Sequence, residues 1–352
     1  MAQKPRRRRR LVFVLLVLAG ALVLSLFVAS AFGAATISLP DIVKMALNKL
    51  AFVDFPATWR AVEETILFQI RLPRVVGGAL IGAALATAGV LFQGLLRNPM
   101  ADPYIIGTSS GAALGATIAM VLPIDLTFLG FGLVPLAAFV GALGAVFIVY
   151  NLARVGGKTP IVSMLLAGFV VSALLAAVIS FMMAISGRLD LSIHAVYSFL
   201  MGHVSVVGWG QIAVIAPLVV GGVIASRVFA YHLNAFSLGE EGAAYLGIEV
   251  ERDKTLILAM GSLLTAAAVS IGGLIGFVGL VMPHAVRLVL GPDHRLLLPA
   301  SALAGATFVV VADLLARVVL APAEIPVGII TAIVGAPFFL YLLRRSRKEY
   351  AF

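Results

Sequence analysis

Gly156, Gly157, Lys158 and Thr159 are the types of residue that bind a nucleotide phosphate. A Walker A loop also needs a glycine five positions before the glycine of its Gly-Lys-Thr triplet, and that position is Leu152. The run also lies between two apolar segments, where a Walker A loop would follow a buried strand. The pattern therefore predicts no nucleotide site in this chain.

The histidines and the absence of cysteine favour neither a metal site nor covalent catalysis. Without cysteine the chain has no thiolate ligand, no disulfide and no thiol nucleophile. His284 follows Pro283 in a glycine-rich apolar run and is interpreted as a structural residue. We also expect no hydrolase nucleophile elbow, so the chain is predicted to be neither a metal protein nor an enzyme. The scattered histidines are His194, His203, His232, His284 and His294.

Three acidic residues, Asp102, Asp313 and Glu324, lie within or beside apolar segments. A carboxylate inside a membrane is costly, and an ion-coupled secondary transporter could use one to bind a proton or sodium. Asp102, however, lies in a proline-broken turn where it can cap the next helix. Asp313 and Arg317 are four residues apart and share a helix face, which favours an ion pair. Structural roles are the favoured interpretation, and ion coupling is the alternative.

Residues 237–248 form a short polar segment flanked by glycines. It is too short to cross a membrane, and its predicted helix is acidic on one side and apolar on the other. Helices that lie on lipid favour Lys and Arg on the polar side, so a groove on a partner protein suits this segment better. The apolar side has Leu238, Tyr245, Leu246 and Ile248, and the acidic side has Glu240, Glu241 and Glu249.

The composition indicates which elements must position these residues. The chain of 352 residues is 62% hydrophobic and 12% charged, about half the charge of a soluble protein. Ten apolar runs between residues 11 and 343 predict an all-α integral membrane protein with about ten transmembrane helices. A net charge of +9 is spread between these runs rather than gathered on one face, which argues against nucleic acid binding.

The charges also predict an orientation and segment boundaries. With both termini cytoplasmic, 18 of the 25 Lys and Arg residues lie on the cytoplasmic side, as the positive-inside rule requires. The first run, 11–32, is expected to be a retained helix, although 29–31 resembles a signal cleavage site. The predicted segments are a basic tail (1–10), a membrane domain (11–345) with an outer loop (36–70) and a cytoplasmic coupling segment (236–250), and a tail (346–352).

Eight motifs in order resemble the FecCD-type permeases, the membrane subunits of ATP-driven importers for iron-siderophores, cobalamin and heme. Any one motif alone would be weak, but eight in the same order are specific. The resemblance runs from about Arg71 to the carboxyl end. The motifs occupy residues 71–74, 93–103, 107–112, 238–247, 276–284, 291–295, 312–317 and 324–328.

The resemblance implies a type II importer permease that forms a homodimer around a central pathway. Two ATPase subunits would bind the cytoplasmic face, and a soluble binding protein would deliver substrate from outside. This chain then carries no cofactor, because ATP and Mg are bound by the partner ATPase. Segment 237–248 becomes the element that enters the ATPase groove, with contacts expected from Leu238, Gly239, Glu240, Glu241, Ala243, Ala244, Leu246 and Gly247.

The resemblance also assigns docking and gating residues. Arg71, Arg74 and Arg317 correspond to the arginines that dock the binding protein, with helix anchoring or local ion pairs as the alternative. The cytoplasmic gate corresponds to Asn98, Pro99 and Met100, opposite the turn at Thr159 and Ser163. The family leaves the pathway lining open, and the candidates are Gln93, Met182, Met183 and Tyr197.

These observations predict an inner-membrane importer permease. Ferric siderophore is the first expected cargo, with cobalamin and heme as alternatives. The rival class is a secondary transporter driven by protons or sodium.

Overall fold

The computed structural model describes residues 3–33, 37–49, 55–189 and 191–346, with side chains from Val12 onward. Helices account for almost all of its regular structure, and one short antiparallel hairpin joins β1 (Thr127–Phe128) to β2 (Phe131–Gly132). Residues 1, 2 and 347–352 of the two predicted tails lie outside the described residues. The helices are α1 (Gln3–Ala31), α2 (Leu39–Lys49), α3 (Ala61–Thr65), α4 (Leu72–Leu95), α5 (Thr108–Val121), α6 (Leu133–Ala153), α7 (Ile161–Ala184), α8 (Ser186–Leu189), α9 (Ile193–Met201), α10 (Trp209–Ser226), α11 (Ala230–Phe236), α12 (Glu240–Tyr245), α13 (Val250–Gly272), α14 (Val278–Leu290), α15 (His294–Val318) and α16 (Val327–Ser346).

The all-α membrane fold predicted from composition is confirmed. Within the described residues, seven helical segments are long and apolar enough to cross a membrane, and three shorter apolar helices occupy the places of the remaining predicted runs. The number of actual crossings stays a prediction. The long segments are Val12–Ala31, Ala61–Leu95, Leu133–Ala153, Ile161–Ala184, Trp209–Phe236, Val250–Gly272 and His294–Val318, and the short ones are Thr108–Val121, Val278–Leu290 and Val327–Leu342.

The described parts of the predicted outer loop, 37–49 and 55–70, contain short helices, while residues 36 and 50–54 of that loop lie outside the described residues. The amphipathic α2 buries Ile42 and Met45, and the helix that ends in α4 already begins at Ala61. A π-helical stretch, Ile66–Arg71, lies between α3 and α4. The side chain of Glu63 accepts hydrogen bonds from the Arg60 backbone and guanidinium, which supports this early start.

Close approach of small residues holds α4 at the centre of the bundle. A Cβ atom on Gly82 would lie 2.1 Å from the Gly305 carbonyl oxygen of α15, and one on Gly89 would lie 1.9 Å from that of Gly279 in α14. Helices in lipid associate through such packing rather than through hydrophobic burial. The same close approach joins α5 to α6, where a Cβ atom on Gly111 would lie 2.3 Å from the Gly141 carbonyl oxygen.

Helix α13 connects two ends of the bundle that carry different polar clusters. At its beginning, the Lys254 ammonium lies 2.7 Å from Glu240 of α12, so we call this the α12 end. At its other end, the Gly272 carbonyl accepts a hydrogen bond from the His203 backbone, and the His203 ring lies 3.8 Å from Glu324. We call this the Glu324 end.

Candidate functional site

The Glu324 end contains a buried ion cluster centred on Asp313. The guanidinium of Arg74 lies 3.0 Å from one oxygen of Asp313, and Arg317 Nε donates to the other at 2.9 Å. Arg74 also lies 2.9 Å from Glu324. Burial is the largest single influence on Glu324 and would raise the pKa of its carboxyl. The hydrogen bond and charge of Arg74, with the nearby His203 and Arg317, together outweigh burial and hold that pKa below its ordinary value.

Arg317 of this cluster, together with Arg71, also binds the end of the first apolar helix. Arg71 donates to the carbonyl oxygens of Ser30 and Ala31 at 3.3 and 3.1 Å. Arg317 donates to those of Ala29 and Phe32 at 3.0 and 3.1 Å. The last carbonyls of a helix lack partners in the helix and carry partial negative charge, so cations stabilise them. These arginines therefore fasten α1 to α4 and α15.

The burial of Arg71 and Arg317 limits the direct docking role that was expected for these arginines and Arg74. Arg71 and Arg317 are each only 5% exposed, and their guanidinium groups are engaged inside the chain. Arg74 lies closer to the surface beside Glu324, whose side chain is 36% exposed. A direct contact with a binding protein would require Arg71 and Arg317 to leave their present partners. Docking by these residues stays a prediction, and Arg74 is the best placed of the three.

The predicted coupling segment forms a short helix whose apolar side chains point away from the bundle. Tyr245 is 92% exposed, and Leu238 and Leu246 are also exposed. Ala243 is fully buried and anchors α12 against the bundle. Ile248, which was expected on the same stripe, is buried instead, because the chain turns back toward α13 after Gly247 (φ +81°). Glu241 is exposed.

Glu240 of α12 and Thr159 of the predicted gate turn 159–163 both contact the first turns of α13. Lys254 Nζ lies 2.7 Å from Glu240 Oε2 and 3.0 Å from Glu251 Oε1. The other oxygen of Glu251 accepts hydrogen bonds from the Thr159 backbone N–H at 2.8 Å and from its hydroxyl at 2.9 Å. The sequence pointed to neither Glu251 nor Lys254. Their spacing indicates only a local ion pair, and Thr159 is separated from Glu251 by 92 residues.

The two predicted gate turns are neighbours at the α12 end. Leu95, at the end of α4, and Thr159 line the same small cavity. Asn98, Pro99 and Met100 are exposed, and the Asn98 side chain accepts a hydrogen bond from the Met100 backbone at 2.9 Å. Ser163 is half-buried in the first turn of α7. The gate assignment itself stays a prediction.

Asp102 lies in the turn between α4 and α5. Its carboxylate accepts a hydrogen bond from the Tyr104 backbone at 2.8 Å, so it caps this turn rather than α5, which begins at Thr108. Burial raises the pKa of Asp102 to about 6 from an ordinary value of 3.8. The folded chain therefore holds this proton more tightly than the unfolded chain. The resulting stabilisation is complete below pH 3.8 and is lost as the pH rises through about 6.

We accordingly expect Asp102→Asn to raise the free energy of unfolding at pH 7.5 by about 1–2 kcal/mol, since the amide keeps an acceptor and carries no charge. The advantage should shrink steadily as the pH falls below 6. Thermal unfolding in detergent between pH 5 and 8 measures it. Asp125→Asn, in an exposed loop, is the control and should show no such trend. A gain that is equal at every pH would contradict the prediction.

The candidate pathway residues do not form one surface. Gln93 is buried within the bundle, where its amide donates to the carbonyls of Gly279 and Leu280 and accepts from Arg287. Met182 and Met183 pack against Val196 of α9, while Tyr197 is half exposed. Gln93 therefore does not face a path beside this chain in the present conformation. The lining of the pathway stays a prediction.

The letter pattern of a hydrolase nucleophile elbow does occur in the chain, but Ser109 is not placed as an elbow nucleophile. Residues 107–111 read Gly-Thr-Ser-Ser-Gly, the letters of a hydrolase nucleophile elbow. Ser109, however, lies in the first turn of α5 and follows a turn rather than a strand. Among the described residues, no three His, Asp or Glu side chains are grouped so that they could hold a metal ion.

Comparison with known proteins agrees with this architecture. The sequence pattern of the FecCD transport family matches residues 21–345. The cobalamin import system permease protein BtuC of Halobacterium salinarum is 51% identical over 281 residues, which cover 80% of this chain and 74% of that protein. The hemin transport system permease protein HmuU of Yersinia pestis is 40% identical over 285 residues, 81% of this chain and 84% of that one.

A solved structure extends the likeness to the fold. It belongs to a transporter assigned to the metal-chelate ABC type, in an inward-facing conformation, and it is 29% identical in sequence. Its TM-score is 0.79, over 94% of this chain and 99% of that one. The match covers both ends of the bundle described above. The chain therefore belongs to the FecCD transport family and is a membrane permease of the ABC importer type.

Proposed function

We propose that this chain is one of two identical permease subunits of an importer that carries a metal chelate into the cell. The observation that carries the proposal is the α12 end, where an exposed apolar segment is bonded through α13 to a gate turn. Such a segment suits a groove on an ATPase, and its bonds give a route by which movement of the ATPase reaches the gate. Orientation follows from charge: the α12 end is cytoplasmic and the Glu324 end faces outward.

The partners follow from the same proposal. Two ATPase subunits bind ATP and Mg and hydrolyse ATP, and this chain hydrolyses nothing. A soluble binding protein delivers the chelate at the Glu324 end, where Arg74 and Glu324 offer charges that would orient it. Binding of ATP moves α12, shifts the turns at Asn98 and Thr159, and opens the pathway between the two subunits alternately to each side.

Cobalamin is the chelate we test first. A cobalamin permease is 51% identical to this chain, a hemin permease 40% and an iron(3+)-hydroxamate permease 35%. For this reason we test cobalamin and heme before ferric siderophore, which is the first expectation from the sequence. A large chelate needs a wide and smooth path, so few residues of this chain are expected to select it.

The ion-coupled alternative loses its main support. It depended on Asp313 as a proton or sodium site, but both oxygens of that carboxylate are engaged by Arg74 and Arg317. We expect vanadate, which blocks ABC ATPases, to abolish uptake in energised vesicles. An uncoupler that leaves ATP intact should not. The reverse pattern would favour a secondary transporter.

Labelled uptake in a strain that lacks the gene tests cargo and function together. Cyanocobalamin, a ferric siderophore and heme are supplied in parallel, and the gene is returned on a plasmid. We expect cobalamin uptake to be lost and then restored. Selective loss of one of the other chelates would keep the importer and change the cargo. If uptake of all three is unchanged, the metal-chelate assignment of this chain is wrong for these cargoes.

A further inference from the structure

We propose that Lys254 is a positioning residue that links the coupling helix to the cytoplasmic gate turn through Glu240 on one side and Glu251 on the other. The proposal rests on the function proposed above and assigns the internal connection that this function needs. The four participating side chains come from α12, from the first turns of α13 and from the turn before α7. They contact one another directly in the order Glu240, Lys254, Glu251 and Thr159.

The environment of Lys254 makes the link stiff. Its side chain is only 8% exposed, and its ammonium lies within 3.0 Å of both carboxylates. An ammonium removed from water is stable only while its partners stay close, and loss of one partner is strongly unfavourable. If α12 moves, Glu240 therefore either takes Lys254 with it or leaves a buried cation with one partner instead of two.

Glu251 connects Lys254 to the gate turn at Thr159, so a displacement of Lys254 also displaces this turn. One of its oxygens binds Lys254 and the other accepts both donors of Thr159, so a single carboxylate joins the lysine to the turn. Thr159 is buried, and the turn before it is closed by backbone bonds between Val155 and Lys158. A shift of this carboxylate therefore moves the turn as a unit.

The other side of the turn is fixed to the same helix. The Tyr150 hydroxyl, near the end of α6, lies 3.0 Å from the hydroxyl of Thr255 in α13. The first turns of α13 thus hold both α6, through Tyr150, and the residue that precedes α7, through Thr159. If displacement of Glu240 rotates the first turns of α13, the distance between α6 and α7, which flank the gate turn, would change.

The test measures the gate without needing the cargo. The chain has no cysteine, so Lys158→Cys introduces a single thiol in the exposed gate turn, one residue before Thr159. The permease is reconstituted in nanodiscs with the ATPase that copurifies with the unaltered chain. The maleimide labelling rate is then compared between the nucleotide-free complex and the complex trapped with ATP and vanadate.

We expect Lys254→Met to reduce the nucleotide-dependent change in labelling by roughly tenfold, because it removes two charge-assisted hydrogen bonds. ATPase binding should persist. Lys254→Arg can still bridge both carboxylates and should retain most of the response. Arg252→Met is the matched control: Arg252 lies two residues away on α13, its side chain is exposed, and in the described part of the chain it pairs only with Glu249.

Two further variants keep the test decisive if Lys254→Met does not fold. Glu240→Gln alters a partly exposed side chain, and Thr159→Val removes one of the two donors to Glu251 while keeping the other. Both should reduce the labelling change. A full response in Glu240→Gln or in a folded Lys254→Met, with ATPase bound, overturns the link. If the unaltered chain binds no ABC ATPase at all, it is the proposed function that fails, and the two failures are therefore distinguishable.

Discussion

Replacing Asp313 by asparagine should lower the free energy of unfolding by about 3 kcal/mol, the usual size of the effect when one partner of a buried ion cluster is removed. The Asp313 side chain is 2% exposed and separates the guanidinium groups of Arg74 and Arg317. Without its charge, the buried Arg317 and the partly buried Arg74 repel each other across a neutral side chain, and Glu324 compensates only Arg74 directly. Arg317 also holds the end of α1, so the first helix should loosen as well.

Glu324→Gln is the matched control for this prediction. Glu324 also pairs with Arg74, but its side chain is 36% exposed and water can replace it, so the change should cost less than about 1 kcal/mol. Thermal unfolding of the purified permease in detergent compares the two variants at pH 7.5. Equal melting temperatures for Asp313→Asn and the unaltered chain would show that the cluster contributes nothing to stability.

The Asp313 cluster shows which contacts at this end of the bundle could be predicted from the sequence and which could not. Four-residue spacing on one helix predicted the pair of Asp313 with Arg317, and the structure confirms it. Arg74 is 239 residues from Asp313, and only helix packing brings them together. The same limit applies to Arg71. The position of its guanidinium at the end of α1 depends on how α1 crosses the bundle, which residue spacing does not determine.

The α12 end was anticipated more fully. Composition alone indicated a short acidic helix with an apolar side, because local residue types determine both properties. The long apolar runs likewise determined the fold class, since lipid leaves helices as the main solution for such runs. The inward pairing of Glu240 was missed because Lys254 lies beyond a turn, in the first turns of the next helix. The sequence predicts which residues share one face of a helix, whereas contacts between helices can be known only from the fold.

The inward pairing of Glu240 also changes how the ATPase contact should be tested. A double reversal, Glu240→Arg with Glu241→Arg, is the direct way to test the acidic side of α12 as an ATPase contact. In this structure it would place a new cation against the buried Lys254, and so would combine a docking effect with damage to the bundle. Glu241→Arg alone changes an exposed charge and reports on docking.

Tyr245→Ala should have the largest effect on ATPase binding. Tyr245 is 92% exposed on α12 next to exposed Leu246, and an aromatic side chain that becomes buried in a partner's groove is the typical hot spot of an interface. We expect the dissociation constant for the ATPase to rise by roughly 30-fold, the equivalent of about 2 kcal/mol. Ala243 and the Glu240–Lys254 pair hold the inner side of α12, so removal of the exposed tyrosine ring should leave the bundle intact.

Phe147→Ala is the matched control, because Phe147 is a similarly exposed aromatic residue (69%) within the apolar helix α6, where a soluble ATPase cannot reach it. Titration of the ATPase onto nanodisc-bound permease measures both affinities. If Tyr245→Ala binds as tightly as Phe147→Ala, then α12 is not the ATPase contact, and the exposed gate turn at Met100 becomes the next surface to test. A selective loss places the contact on α12, because the two variants remove comparable apolar area and differ only in which surface they alter.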